Sequence, residues 1–249
     1  MAERQYRRQE NCSETCREEG QGKRPSKIRQ GWNVLSADGE GDPPGLVLSS
    51  EAARIIDLYQ RRSLEWVRDR ERGGGLMEKS WLDRFRGLVS STASILDIGC
   101  GSAVPISRYL IEAGHHVTGV DSSATLIDLC RDRFPTHEWI VADMRTLALG
   151  RPFDGIIAWD SFFHLCPDDQ RQMFPVFRQH AAPGAALMFT SGPAHGEAIG
   201  SFEGEPLYHA SLDPAEYRSL LDQHGFRVIS YVAEDPDCGR HTIWLAQRV

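Results

Sequence analysis

The chain has 249 residues, 41% of them hydrophobic and 25% charged, and carries a formal net charge of -7 at pH 7. This size fits one ordinary domain with a tail, and the apolar fraction is enough for a sizeable core. The acidic balance argues against nucleic acid as a partner, because phosphate binding needs a concentrated basic surface; with no apolar leader and no membrane-length run, the chain reads as cytoplasmic, off the membrane, with free thiols.

Residues 1–50 are rich in Arg, Glu, Gly and Pro and poor in large apolar residues, so they read as a disordered tail. Cys12 and Cys16 lack a matching second pair, and no metal site is expected. Ser49-Ser50-Glu51 is a helix-start signal, and Ala52, Ile55, Ile56, Tyr59, Leu64 and Val67 keep helical spacing up to Gly73-Gly74-Gly75. A second, short helix places Trp81, Leu82, Phe85 and Leu88 on one side. These helices occupy residues 51–90, ahead of a domain over 91–249.

Ser94–Ile98 is a short apolar run that meets the turn Gly99-Cys100-Gly101, and a helix follows through Ile106, Tyr109 and Leu110 to Gly114. The unit repeats in outline. His116–Val120 reads as a strand ending in Asp121, and Ala124–Phe134 as a helix. Trp139–Ala142 is a strand ending in Asp143, and Gly155–Trp159 one ending in Asp160, followed by a helix over Pro167–His180 and a strand over Ala185–Thr190. Asp213-Pro214 caps a helix that runs to His224, and Phe226–Ala233 with His241–Gln247 closes the chain as a hairpin. Alternating strands and helices predict an α/β fold: a mostly parallel sheet covered on both faces, with a terminal antiparallel hairpin.

Asp97, Asp121 and Asp143 mark the ends of successive strands, where ligands of open α/β sheets bind. Gly99 and Gly101 let a ligand approach the backbone closely, and a carboxylate at Asp121 can accept both hydroxyls of a ribose. The combination describes a nucleoside site. A dinucleotide loop would need a third glycine at Val104, and no phosphate loop of the Walker type exists, so the ligand carries no pyrophosphate.

Ile95-Leu96-Asp97-Ile98-Gly99-Cys100-Gly101, Val117-Thr118-Gly119-Val120-Asp121-Ser122-Ser123, Ala142-Asp143-Met144 and Phe153-Asp154-Gly155-Ile156-Ile157-Ala158-Trp159 resemble, in that order, the class I S-adenosylmethionine-dependent methyltransferases. The resemblance covers about Trp81 to Val249. It implies a Rossmann-like seven-stranded sheet with S-adenosylmethionine as cofactor. Asp97 and the Gly99–Gly101 turn, Cys100 included, would lie beside the methionine part, Asp121 would hold the ribose with Ser122 beside it, and Ala142, Asp143 and Met144 would flank the adenine. Trp159, Asp160 and Ser161 would lie under the transferred methyl group. The family loop often has a third glycine where this chain has Ala103, which predicts tighter packing there. In related enzymes a preceding helix lids the cofactor, a role for Tyr59, Arg61, Arg62 and Trp66, with Tyr59 near the methionine carboxylate.

Methyl transfer asks chiefly for alignment of the acceptor opposite the departing sulfur. A hydroxyl or amine acceptor also loses a proton, for which His164, His195 and His209 are the candidate bases, all in segments after the fourth and fifth strands. A carboxylate acceptor needs no base and would instead want Arg or His to hold its other oxygen, and Arg240 is the arginine candidate. Phe162 and Tyr208 are further candidate contacts to a small-molecule acceptor. The layout resembles small-acid methyltransferases of the trans-aconitate type, so carboxylate O-methylation is the leading subclass. The rivals are O- or N-methylation with a loop histidine as base, a nicotinamide-dependent oxidoreductase, and a regulator that binds the cofactor without turnover. A nucleic-acid enzyme would want an Asn-Pro-Pro-Tyr-like segment where this chain has Trp159-Asp160-Ser161-Phe162. The sequence leaves the oligomeric state open.

Overall fold

A computed structural model describes residues 44–72 and 75–249; most of the expected tail, with Cys12 and Cys16, lies outside the described residues. The chain enters through α1 (Pro44–Arg61) and α2 (Ser63–Arg72). The sequence predicts one helix starting at Ser49–Glu51. The structure starts it at Pro44, where proline suits a first turn, and breaks it after Arg61. At the break, Ser63 Oγ donates to the Gln60 carbonyl at 3.1 Å, a bond back onto the preceding turn of a kind that bends helices. α3 (Lys79–Arg86) buries Trp81, Leu82 and Phe85. Its place is under the sheet: a Cβ on Gly155 would come within 2.5 Å of the Phe85 ring.

The alternating part follows as β1 (Ser94–Ile98), α4 (Ile106–Glu112), β2 (His116–Asp121), α5 (Ala124–Arg133), β3 (Glu138–Val141), β4 (Phe153–Ala158), α6 (Pro167–His180) and β5 (Ala181–Ser191). A hairpin of β6 (Gly196–Phe202) and β7 (Glu205–Ser211) interrupts it, and α7 (Pro214–Gln223), β8 (Phe226–Asp235) and β9 (His241–Arg248) complete the chain. The main sheet has the order β3-β2-β1-β4-β5-β9-β8. β1 to β5 are parallel, and β9 runs antiparallel between β5 and β8. The expected mostly parallel, seven-stranded sheet with an antiparallel terminal hairpin is what forms. Strand order reverses between β1 and β4, which opens a crevice at their carboxyl ends.

Each strand sends alternate residues to opposite faces. Leu96, Ile98, Ile156, Leu187 and Phe189 join the core under α6 and α7, centred on Phe162, Phe174, Phe177, Tyr217 and Trp244. Ile95, Ile157, Ala186 and Met188 join the other, with Trp81, Phe85, Leu110, Ile127 and Trp139. Because helices cover both faces, the strands read as continuous apolar runs.

The β6–β7 hairpin stands where the sequence predicts loops. Its turn is Glu203-Gly204, both with positive φ (50° and 81°), a two-residue connection whose twist suits paired strands. Among the described residues no helix is long and apolar enough to cross a membrane, and no group of three or more His, Cys, Asp or Glu could hold a metal ion.

Candidate active site

A cleft of about 240 Å³ opens at the carboxyl ends of β1 to β4. Its floor is Gly99, Gly101, Asp121 and Ser122; Ala142, Asp143 and Met144 close one end, and Asp160, Ser161 and His164 the other. α1 is the roof, through Ala52, Ile55, Ile56 and Tyr59, and Trp66 of α2 completes it. The roof is fastened to the hairpin, where Glu205 pairs with Arg61 at 2.8 Å and Arg62 at 2.7 Å.

The glycine turn has two structural reasons. A Cβ at Gly99 would lie 2.2 Å from Ser161 Cβ, and one at Gly101, whose φ is +56°, would lie 2.3 Å from the Trp66 ring. Ala103 also has a positive φ, 64°, and is fully buried. The third family glycine is thus a backbone requirement, and alanine there costs strain rather than tighter packing.

Asp121 accepts from the backbone N–H of Gly101 at 3.0 Å and of Ser123 at 2.9 Å. The sequence suggests no structural partner for it; the structure supplies two, each on a different oxygen. Every carboxylate oxygen has two lone pairs, so the group can brace the turn and still accept from a ligand hydroxyl. Burial raises its pKa, and the N–H bonds work against that rise. Asp143 accepts from the N–H and guanidinium of Arg145, which holds its carboxyl below the usual range. Arg145 also reaches Asp169 at 3.2 Å, closing that end of the cleft.

At the opposite end, Tyr59 Oη lies 2.9 Å from His164 Nε2, and His164 Nδ1 lies 2.8 Å from the Tyr208 carbonyl. Burial pushes the His164 pKa down to about 4. Asp160, with φ +49°, is paired with His241 at 3.0 Å. Asp160 pulls the His241 pKa up to about 9 against burial, and the Asp160 carboxyl is lowered in return. Arg70 adds a second positive charge nearby and is itself bonded to the fully buried Glu78.

Several expected contacts lie elsewhere. Asp97 is buried behind the turn and accepts from Ser107 Oγ of α4 at 2.5 Å; burial pushes it up to about 6. The Cys100 thiol points away from the cleft, toward Gly119 and Cys130. Trp159 is buried and packs on the His241 ring. Phe162 is fully buried among Phe174, Phe177 and Phe189, so it touches core instead of acceptor. Tyr208 is also fully buried, its hydroxyl donating to Glu197 at 2.5 Å; only its carbonyl serves the site, by holding His164. His209 sits behind His164, ring centroids 4.9 Å apart, with its pKa driven down to about 3 by burial. His195 is exposed on the turn before β6, and Arg240 is exposed and paired with Glu234 at 2.9 Å. Neither lines the cleft.

Arg145, Asp169, Trp66 and His241 are site residues that sequence reasoning leaves without a role or gives only to the lid. His241 carries no local signal, since its partner is 81 positions away.

Residues 95–184 match a family described as a methyltransferase domain. The chain is 32% identical over 103 residues to trans-aconitate 2-methyltransferase of Azoarcus sp. (strain BH72), covering 40% of this chain and 39% of that protein. The chain thus spans about two fifths of the length of that relative. A longer match, 29% identical over 218 residues, covers 76% of this chain and 82% of the dTDP-4-amino-2,3,4,6-tetradeoxy-D-glucose N,N-dimethyltransferase of Saccharopolyspora spinosa. Among solved structures, an amino pentose methyltransferase from Micromonospora echinaspora with bound S-adenosylmethionine has the same fold, with a TM-score of 0.57, 20% identity, and coverage of 71% of this chain and 93% of that one.

Proposed function

We propose that this chain, whose residues 95–184 match a methyltransferase domain, is a class I methyltransferase that binds S-adenosylmethionine in the cleft and methylates a small molecule. The observation that supports it most is the charge of the cleft wall: Asp121, Asp143, Asp160 and Asp169 face one arginine, Arg145, already paired with two of them. Such a wall suits a cationic sulfonium and ribose hydroxyls, which donate hydrogen bonds, and it repels a pyrophosphate. When bound, S-adenosylmethionine supplies a methyl group on a positively charged sulfur.

The chain's own residues would do the rest. Asp121 accepts from the ribose, Ala142, Asp143 and Met144 bound the base, and the Gly99–Gly101 turn leaves room for the methionine part. α1 excludes water and holds the acceptor against the methyl group, which is the alignment that methyl transfer requires. Carboxylate methylation, favoured by the likeness to trans-aconitate-type enzymes, wants a cation for the acceptor. Arg240, the residue expected to provide it, is outside the cleft. The relatives themselves divide between an acid acceptor and a sugar amine.

Calorimetric titration with S-adenosylhomocysteine and, separately, NAD tests the reading. S-adenosylhomocysteine is expected to bind and NAD not to. Asp121→Ala removes two charge-assisted bonds to ligand, each about 1.5–3 kcal/mol, and is expected to weaken binding by about 100-fold or more. Absence of S-adenosylhomocysteine binding to the wild type would overturn the proposal.

A further inference from the structure

The end of the cleft between β4 and α1 has already used its side-chain protons. The Tyr208 carbonyl can only accept, so the His164 proton sits on Nδ1, 2.8 Å from it. Burial keeps that ring neutral, which leaves Nε2 bare. The Tyr59 hydroxyl, 2.9 Å away, therefore donates to Nε2. Ser161 Oγ donates to the Ile98 carbonyl at 2.7 Å. Asp160 is a carboxylate paired with His241 and has no proton to give. Tyr59, Ser161 and Asp160 all line the cleft, and each presents only lone pairs to whatever enters.

Resting on the methyltransferase reading above, we infer that the methyl acceptor is an amine, whose two N–H groups donate within the set of acceptors formed by Tyr59 Oη, Ser161 Oγ and the Asp160 carboxylate while its lone pair faces the methyl group. A carboxylate would set its own lone pairs and negative charge against Asp160, with none of these three side chains to donate to it. A hydroxyl could donate one bond, but it would need a base, and His164 Nε2 is occupied by Tyr59. An amine that enters as the free base needs none. Its lone pair forms the new C–N bond as the C–S bond breaks, and the sulfur keeps that electron pair. The positive charge passes from sulfur to nitrogen beside Asp160, which offsets it on either atom; the methylated ammonium then gives a proton to water. His241 is a positioning residue here: it holds Asp160 ionised and turned to the cleft.

The test compares two ligands that differ at this end alone. Sinefungin carries a protonated amine where the cofactor carries its methyl sulfonium, and S-adenosylhomocysteine carries neither. Calorimetry on the full chain is expected to find sinefungin at least tenfold tighter. That ratio should fall toward one in Asp160→Asn and by a few-fold in Tyr59→Phe, while S-adenosylhomocysteine still binds both variants. Equal affinity for the two ligands in the wild type overturns the inference. Failure of S-adenosylhomocysteine to bind overturns the methyltransferase reading instead. A second readout follows tritiated methyl from S-adenosylmethionine into a small-molecule cell extract. Label that resists mild alkali and is retained on a cation exchanger is expected; label released as methanol marks a methyl ester and overturns the inference.

Discussion

The two ends of the cleft are held together by different kinds of bond. At the β2–β3 end the acids are tied by close neighbours: Asp121 by the N–H of Ser123 and of the facing glycine turn, and Asp143 by Arg145 two residues on. At the β4 end the partners are remote in sequence. Asp160 is held by His241, 81 positions away, Tyr59 by His164, 105 away, and His164 by Tyr208, 44 away. The first set exists wherever a glycine turn meets two strand ends. The second exists only after α1, the β6–β7 hairpin and β9 have docked, so the β4 end is the one most exposed to changes elsewhere.

The largest test of that contrast is pH. His164 and His209 stay neutral in the fold, with pKa values pushed down to about 4 and about 3. Their contribution is full above the ordinary value of 6.5 and lost as pH falls below it, because the unfolded chain then binds protons that the folded chain refuses. His241 acts in the other direction. Raised to about 9, it stabilises fully below 6.5 and less as pH rises through 9. The shifts set upper bounds of about 3 kcal/mol for His164 and His241 and about 5 kcal/mol for His209, so the β4 end is most stable between these limits. Asp97, raised to about 6, has the opposite sense to the two neutral histidines, since acid relieves its buried charge. Urea midpoints from pH 4 to 10 are expected to show a smaller acid loss in His209→Phe and a smaller alkaline loss in His241→Asn.

Next in size is the turn beneath the roof. Gly101→Ala combines a left-handed φ with the clash against Trp66, a cost of about 2–3 kcal/mol. In a Trp66→Ala background only the backbone strain remains, and the penalty is expected to fall by about half. Equal penalties in the two backgrounds, read by chemical denaturation, would place Trp66 off the turn. Ala103→Gly acts the other way. It relieves the positive φ and is expected to stabilise by about 0.5–1 kcal/mol after the entropy of glycine is counted. The smallest effect belongs to the roof latch. Glu205→Gln loosens an exposed pairing with Arg61 and Arg62, so S-adenosylhomocysteine should leave a few times faster, with the difference shrinking as salt is added.

Much of the β2–β3 end is legible in the amino-acid sequence. Gly99, Gly101, Asp121 and Asp143 each stand at the end of a short apolar run, and that position alone carries them to the crevice. Tyr59, Asp160, Ser161 and His164 are legible as candidates too, but their hydrogen-bond directions are not. Those depend on Tyr208 offering a carbonyl rather than its hydroxyl, and on His241 reaching Asp160. Phe162 misleads for a related reason: it follows Ser161 in the chain, yet the 3-10 turn at Phe162–His164 buries its ring in the core. The β6–β7 hairpin escapes sequence reasoning because its strands are interrupted by Gly200 and Pro206, which weaken the alternating pattern.

By itself, then, the amino-acid sequence determined the α/β architecture, the parallel sheet and the location of a cleft at the strand ends, because strand length, helix period and glycine turns are local properties. Tertiary structure decided which histidine reaches the cleft, which way each proton points, and that Arg240 stands outside. Those outcomes depend on segments 44 to 105 positions apart meeting in space, and the pairing of remote polar groups leaves no period or spacing in the chain.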